Sequence, residues 1–110
     1  MTIIWFNVNE AYSFLMKNGE VYTLRDHPKV EGKANLMSSI EGRPFYKGKV
    51  EIKLIDVFPR ENVQLESLVE KYLSKSGFST SKEWLSRVKK SDSKFLYVYL
   101  VKIEDLKVKK

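Results

Sequence analysis

The alternation of apolar and polar residues predicts elements in the order strand, helix, strand, loop, strands, two helices, strand. Residues 3–6, which are β-branched and aromatic, predict the first strand. A helix is expected to begin at Asn9, whose side chain can cap the first turn, and to end before Gly19. Residues 21–25 then predict a second strand that ends in arginine.

Residues 26–45 show no clear period, which indicates either a functional loop or an element that the pattern does not reveal. Glycine and proline interrupt this stretch at four positions: Pro28, Gly32, Gly42 and Pro44. From Lys49 onward, apolar and charged residues alternate as in a strand with one buried face. The alternation slips at residues 54–55, which predicts a β-bulge there.

The second half of the chain predicts two helices and a closing strand. Apolar residues recur at helical spacing between Leu65 and Leu73, and Gly77 suits the end of that helix. Thr80 and Glu83 fit a capping box at the start of the next helix. Residues 95–103 are almost continuously apolar, which is typical of a strand covered on both faces.

Together these elements predict a single α+β domain over residues 1–110, with about three helices. Short connections between strands and a C-terminal closing strand favour a small mixed β-barrel, although the periodicity also fits an open sheet.

Composition excludes several classes of protein. At 43% hydrophobic residues the chain can form a core, and no apolar run approaches the roughly 20 residues of a membrane span. The start lacks a basic leader, and there is no cysteine, so we expect a cytoplasmic protein without disulfides or thiol catalysis. A single histidine excludes a multi-histidine metal site, and we expect no cofactor.

The net charge of +6 favours a polyanionic partner such as RNA, DNA or acidic phospholipid, and a lysine-rich soluble surface is the alternative. Basic residues gather around the irregular stretch: Arg25, Lys29, Lys33, Arg43, Lys47 and Lys49. Tyr46 lies among them, and a basic residue beside an exposed aromatic ring suits a stacked base with a neutralised phosphate. A second basic group spans the third helix and the residues after it, where lysines near the helix C-terminus also favour the helix dipole: Lys82, Arg87, Lys89, Lys90 and Lys94.

Sequence patterns typical of catalytic sites are weaker than this basic and aromatic pattern. His27 precedes Pro28 in a loop, and no spacing singles out a serine partner for it. Glu66 and Glu70 are one helical turn apart, which is more typical of a solvated helix face than of an acid–base pair.

A short strand, a helix, a glycine and a strand ending in arginine resemble the opening of the ASCH domain. ASCH domains belong to the PUA-like group of small β-barrels, many of which bind RNA. The family hallmark is a glycine, a lysine two residues later, an acidic residue three further and an arginine two further still. With Arg25 on that arginine, Thr23 takes the acidic position, Glu20 the lysine position and Asn18 the glycine position. The resemblance extends over nearly the whole chain as an order of elements and rests on residues 23–26 as a motif.

One small bacterial branch of this family hydrolyses acetylated cytidine with a lysine, a threonine and a glutamate. Thr23 matches that threonine, but Glu20 stands at the lysine position and Ser76 falls near the glutamate position. Because that lysine would serve as base or nucleophile and the glutamate would shuttle protons, the loss of both predicts a domain without this activity.

The resemblance and the charge pattern together predict a non-catalytic, PUA-like ASCH domain that binds RNA, a nucleotide or DNA. Arg25 would contact a phosphate or base edge and Thr23 would hydrogen-bond beside it. Five residues would form the rim: Lys29, Lys33, Arg43, Tyr46 and Lys47.

Two other functions fit the same residues. The first is a nucleoside amidohydrolase or ribonuclease in which Thr23 acts with a substitute base, either Glu20, Lys17 or His27. The second is a protein-interaction module whose basic helix face binds an acidic partner.

Overall fold

The computed structural model describes residues 2–40, 45–88 and 93–106, in which five strands form one mixed sheet. The strands are β1 (Thr2–Trp5), β2 (Glu20–Arg25), β3 (Gly32–Ser38), β4 (Phe45–Pro59) and β5 (Phe95–Leu106). Their order across the sheet is β1-β3-β4-β5-β2. The β1–β3 pair is parallel and the other three pairs are antiparallel.

Three α-helices accompany the sheet, together with a short 3-10 helix at Leu73–Lys75. They are α1 (Asn9–Asn18), α2 (Leu65–Glu70) and α3 (Ser81–Ser86). The predicted α+β class and helix number are confirmed. The sheet is open in the described part of the chain, with β1 and β2 as its edges, so a closed barrel is not shown.

The helix ends follow the sequence signals in two of four places. Gly19 adopts φ +85° after α1, and its N–H donates to the Leu15 carbonyl at 2.8 Å, as the pattern predicted. Thr80 caps α3 by accepting a hydrogen bond from the Glu83 N–H at 3.1 Å. The prediction for Asn9 is wrong, because Val8 occupies the capping position without a side-chain hydrogen bond. The prediction that Gly77 ends the second helix is also wrong, because α2 ends at Glu70 and the 3-10 helix lies between it and Gly77.

The irregular stretch contains a strand that the sequence pattern did not reveal. In β3 the buried positions are Ala34, Leu36 and Ser38, whereas Met37 faces the other way. A serine on the buried face and a methionine on the open face blur the two-residue period that identifies a strand.

The register of β4 shifts at three places, one of them between Lys49 and Val50 against β5. The pairing of β4 with β5 shifts between Leu54 and Asp56, which confirms the predicted bulge. On the other side, Leu36 pairs with Gly48 and Met37 with Tyr46, so Lys47 is an extra residue in the ladder.

The core consists of two clusters on opposite faces of the sheet. The first contains buried residues from all five strands together with Ala11, Tyr12 and Leu15 of α1. The second lies between the β2–β5 end of the sheet and the helices α2 and α3, where Val69 and Trp84 are buried. Among the described residues, no helix is long and apolar enough to cross a membrane.

Candidate functional site

A cavity of about 440 Å³ lies where the two edge strands end. Trp5 and Phe6 line it from the end of β1, residues 23–25 line it from β2, and Ala11 lines it from α1. Arg87 and Val88, which follow α3, complete the wall. Small-molecule sites in proteins commonly have volumes of this size.

The cavity exists because the sheet curls. In a flat sheet, four strand spacings of about 4.8 Å would separate β1 from β2 by roughly 19 Å. The guanidinium carbon of Arg25, at the end of β2, nevertheless lies 4.8 Å from the centre of the Phe6 ring beyond β1. The two edges therefore approach one another, and α1 covers the gap between them.

Arg25 is the most unusual group in the cavity. Its Nε is buried and has no hydrogen-bond partner among the described residues. Burial lowers the pKa of Arg25 from its ordinary value to about 10, and the nearby Asp26 carboxylate opposes that change. The guanidinium remains charged at neutral pH, and its contact with the Phe6 ring is a cation–π interaction.

Thr23 and Lys29 also line the cavity, as predicted. Thr23 is buried and pairs across the sheet with Tyr99 of β5. The Lys29 N–H donates to the Tyr99 hydroxyl oxygen at 2.6 Å, and that hydroxyl lies 3.3 Å from the Lys29 carbonyl oxygen. One buried tyrosine therefore holds the segment after β2 against the sheet.

Replacing Tyr99 by phenylalanine is expected to release this segment while the core packing stays intact. The change removes one hydroxyl and leaves the Lys29 N–H without its partner, so the free energy of unfolding should fall by about 1–2 kcal/mol. Amide hydrogen exchange of residues 26–31 should accelerate more than exchange within β5. Equal acceleration in both regions would contradict a local anchoring role for the hydroxyl.

The remaining charged groups of the cavity are partly paired. The Nε2 of His27 lies 3.6 Å from an Asp26 carboxylate oxygen. The Arg87 guanidinium donates to a Glu10 carboxylate oxygen at 2.9 Å, and both side chains are partly exposed. His27, an alternative base in the sequence analysis, and Arg87, which was given no role in this site there, are thus both within the site.

The predicted basic rim is divided among different surfaces. Lys33 and Tyr46 are exposed on β3 and β4 and do not line the cavity. Lys47, the extra residue of the bulge, is only 2% exposed, so it does not belong to a solvent-facing rim. Arg43 lies outside the described residues.

The residues considered for catalysis lie apart from the cavity, except Thr23 and His27. Glu20 is at the opposite end of β2, where Lys75 donates to its carboxylate at 2.8 Å and lowers the pKa of that carboxyl. Lys17 lines a separate groove along α1. The buried Ser76 hydroxyl donates to the Leu73 carbonyl oxygen at 2.7 Å and accepts from the Phe78 N–H at 3.0 Å.

Trp5, Phe6 and Arg87 are the site residues that sequence reasoning missed. Trp5 and Phe6 belong to an ordinary strand pattern, and Arg87 is more than 60 positions from Arg25 in the chain. Their meeting depends on the curl of the sheet, which a local pattern does not encode.

Within residues 2–40, 45–88 and 93–106, no group of three or more histidine, aspartate or glutamate side chains could hold a metal ion. Comparisons with protein-family models, with curated proteins and with solved structures give no match.

Proposed function

We propose that this chain is a non-catalytic ASCH domain of PUA-like type that binds RNA or a nucleotide through Arg25. The observation that carries the proposal is a buried arginine Nε, in an open cavity, without a hydrogen-bond partner among the described residues. Burial of an unsatisfied cationic group is costly, whereas a phosphate or base edge would supply the missing acceptor.

The charge around the cavity supports an anionic ligand. Arg25, Lys29 and Arg87 line it, against the carboxylate of Asp26 in the wall and that of Glu10, which pairs with Arg87. Trp5 and Phe6 lie in the same wall, and the partly exposed Trp5 offers apolar surface for a base, whereas the buried Phe6 ring supports the Arg25 guanidinium. An arginine beside aromatic rings is a frequent combination where proteins bind unstacked bases.

The proposal extends to the fold. With its edges drawn together and α1 in the gap between them, the open sheet would be a PUA-like barrel that lacks direct β1–β2 pairing. The position of the cavity at the end of this gap corresponds to the mouth of such a barrel.

The positions of the alternative bases support a binding role over an enzymatic one. Neither Glu20 nor Lys17 lines the cavity, so neither is placed to activate Thr23 or a water molecule beside it. His27, the third alternative base, does line the cavity, where its Nε2 lies 3.6 Å from an Asp26 carboxylate oxygen. Ser76 is held in a turn by two backbone hydrogen bonds. The amidohydrolase mechanism of the related branch therefore lacks two of its three groups here.

The decisive experiment measures RNA binding by the Arg25→Met variant. Methionine preserves length and removes the charge and the donors, so affinity for short single-stranded RNA should fall roughly 10- to 100-fold. The slope of log affinity against log salt should also decrease by about one phosphate contact. Isothermal titration calorimetry at several salt concentrations gives both quantities, and a matching DNA oligonucleotide tests the preference for RNA.

The matched control is Lys82→Met, which removes one positive charge from an exposed position outside the cavity. It should change affinity less than threefold, as expected for a remote surface charge. Equal losses of RNA affinity in the two variants would show that Arg25 acts only through the net charge of the protein. Turnover of acetylated cytidine or labelled RNA that disappears in Thr23→Ala would refute the non-catalytic part of the proposal.

A further inference from the structure

The face of β1, β3 and β4 opposite the first core cluster carries a row of large side chains. Register places Trp5 beside Met37 and Met37 beside Tyr46. Because Ile4 and Leu36 fill the core on the other face, this row points away from it. Trp5 is 39% exposed and Tyr46 is 37% exposed, and their backbones lie roughly 10 Å apart across two strand spacings.

Lysine side chains border this row. The next row aligns Ile3 with Asn35 and Asn35 with Lys49. Lys33 and Lys53 continue the same face, and the register adds Asp105 of β5 opposite Lys49 and Lys102 opposite Glu51. Four exposed lysines against two carboxylates give this described face a positive charge, which complements a phosphate backbone.

The row is continuous with the cavity through Trp5, which belongs to both. A single exposed apolar residue on a protein surface needs no explanation. Two exposed aromatic rings on one row, bordered by lysines and adjoining a positively charged cavity, form the combination with which sheets bind unpaired nucleotides.

We infer that this outer face, formed by Trp5, Met37 and Tyr46, binds single-stranded RNA that continues out of the cavity. Bases stack on the two aromatic rings, and Lys33 and Lys49 neutralise the phosphates between them. The inference rests on the proposed function and makes it more specific, since it names a strand of several nucleotides rather than a mononucleotide as the ligand.

The test compares two ligand lengths in the Tyr46→Ala variant. The probes are the four nucleoside 5′-monophosphates and the corresponding homohexamers of RNA, measured by isothermal titration calorimetry. Loss of one stacking ring should weaken hexamer binding roughly 5- to 100-fold. Monophosphate binding should not change, because Tyr46 does not line the cavity.

Two control variants separate stacking from general effects. Tyr46→Phe keeps the ring, so it should bind the hexamer within about twofold of the wild type. Phe95→Ala removes another exposed aromatic ring, 44% exposed at the start of β5, and should leave both affinities unchanged. Equal hexamer losses in Phe95→Ala and Tyr46→Ala would overturn the inference.

The outcomes also distinguish this inference from the proposed function. If monophosphates bind in an Arg25-dependent manner and Tyr46→Ala binds hexamers normally, the cavity proposal stands and the outer face is refuted. If no probe binds, both proposals fail. If sedimentation shows a dimer that Tyr46→Ala dissociates, while hexamer affinity is unaffected, the face pairs two copies of this chain and the inference is wrong.

Discussion

Replacing Gly77 by alanine is expected to lower the free energy of unfolding by about 3–5 kcal/mol. Gly77 has φ +88°, a conformation that costs any residue with a Cβ roughly 1–2 kcal/mol. A Cβ at this position would also overlap the Glu10 carbonyl oxygen and lie 2.8 Å from its carbonyl carbon. Since backbone atoms of α1 cannot rotate aside as a flexible side chain can, the helix or the turn must move.

Gly19→Ala is the matched control for this prediction. Gly19 has nearly the same conformation, φ +85°, but a Cβ there would meet no heavy atom within 4 Å. The free energy of unfolding of Gly19→Ala should therefore fall only by the backbone penalty of about 1–2 kcal/mol. Urea denaturation followed by circular dichroism gives both values, and equal losses at the two positions would show that the close approach of Gly77 to α1 has no energetic role.

The second large effect is a gain in stability when Arg25 becomes methionine. The pKa of Arg25, lowered to about 10, corresponds to roughly 2–4 kcal/mol of unfavourable burial of the cation. Methionine keeps apolar contact with the Phe6 ring and removes the charge, so the free energy of unfolding should rise by about 1–3 kcal/mol. The same variant should lose RNA affinity, which is the behaviour of a residue retained for binding.

The pH dependence of the free energy of unfolding tests whether burial of the charged Arg25 destabilises the folded protein. In a window that begins at about pH 10, the unfolded wild type holds the Arg25 proton more often than the folded protein does, so this group makes stability rise with pH there. Below that window the cost is fully present, and the variant should gain most there. Arg87→Met is the comparison, since Arg87 is 49% exposed in an ion pair and should change stability by less than about 1 kcal/mol. A loss of stability in Arg25→Met would contradict the assignment of Arg25 as an unsatisfied buried cation.

Much of the fold could be predicted from local patterns, because helix ends and strand periods depend on neighbouring residues. Gly19, Thr80 and the bulge near Ile55 were identified in this way. The strand β3 was missed because the polar Ser38 lies on the buried face and the apolar Met37 lies on the other face. The curl that brings β1 to β2 arises from the whole sheet and leaves no local signal.

The site was predicted in part for the same reason. Thr23, Arg25 and Lys29 lie together because they are close in the chain and follow one strand. The neighbouring basic residues were expected to share that surface, but strand alternation sends Lys33 to the outer face and a bulge buries Lys47. Closeness in sequence therefore identified the strand end correctly and overestimated the extent of its basic rim.

The bulge in β4 between Leu54 and Asp56 affects how the molecule unfolds. Before the bulge, Val50 and Ile52 belong to the first cluster, and after it Phe58 belongs to the second. The strand β5 is shared in the same way, since Tyr99 packs in one cluster and Val98 in the other. Neither cluster can lose these two strands without exposing apolar surface of the other, so the two halves of the core are thermodynamically coupled and should melt in a single cooperative transition.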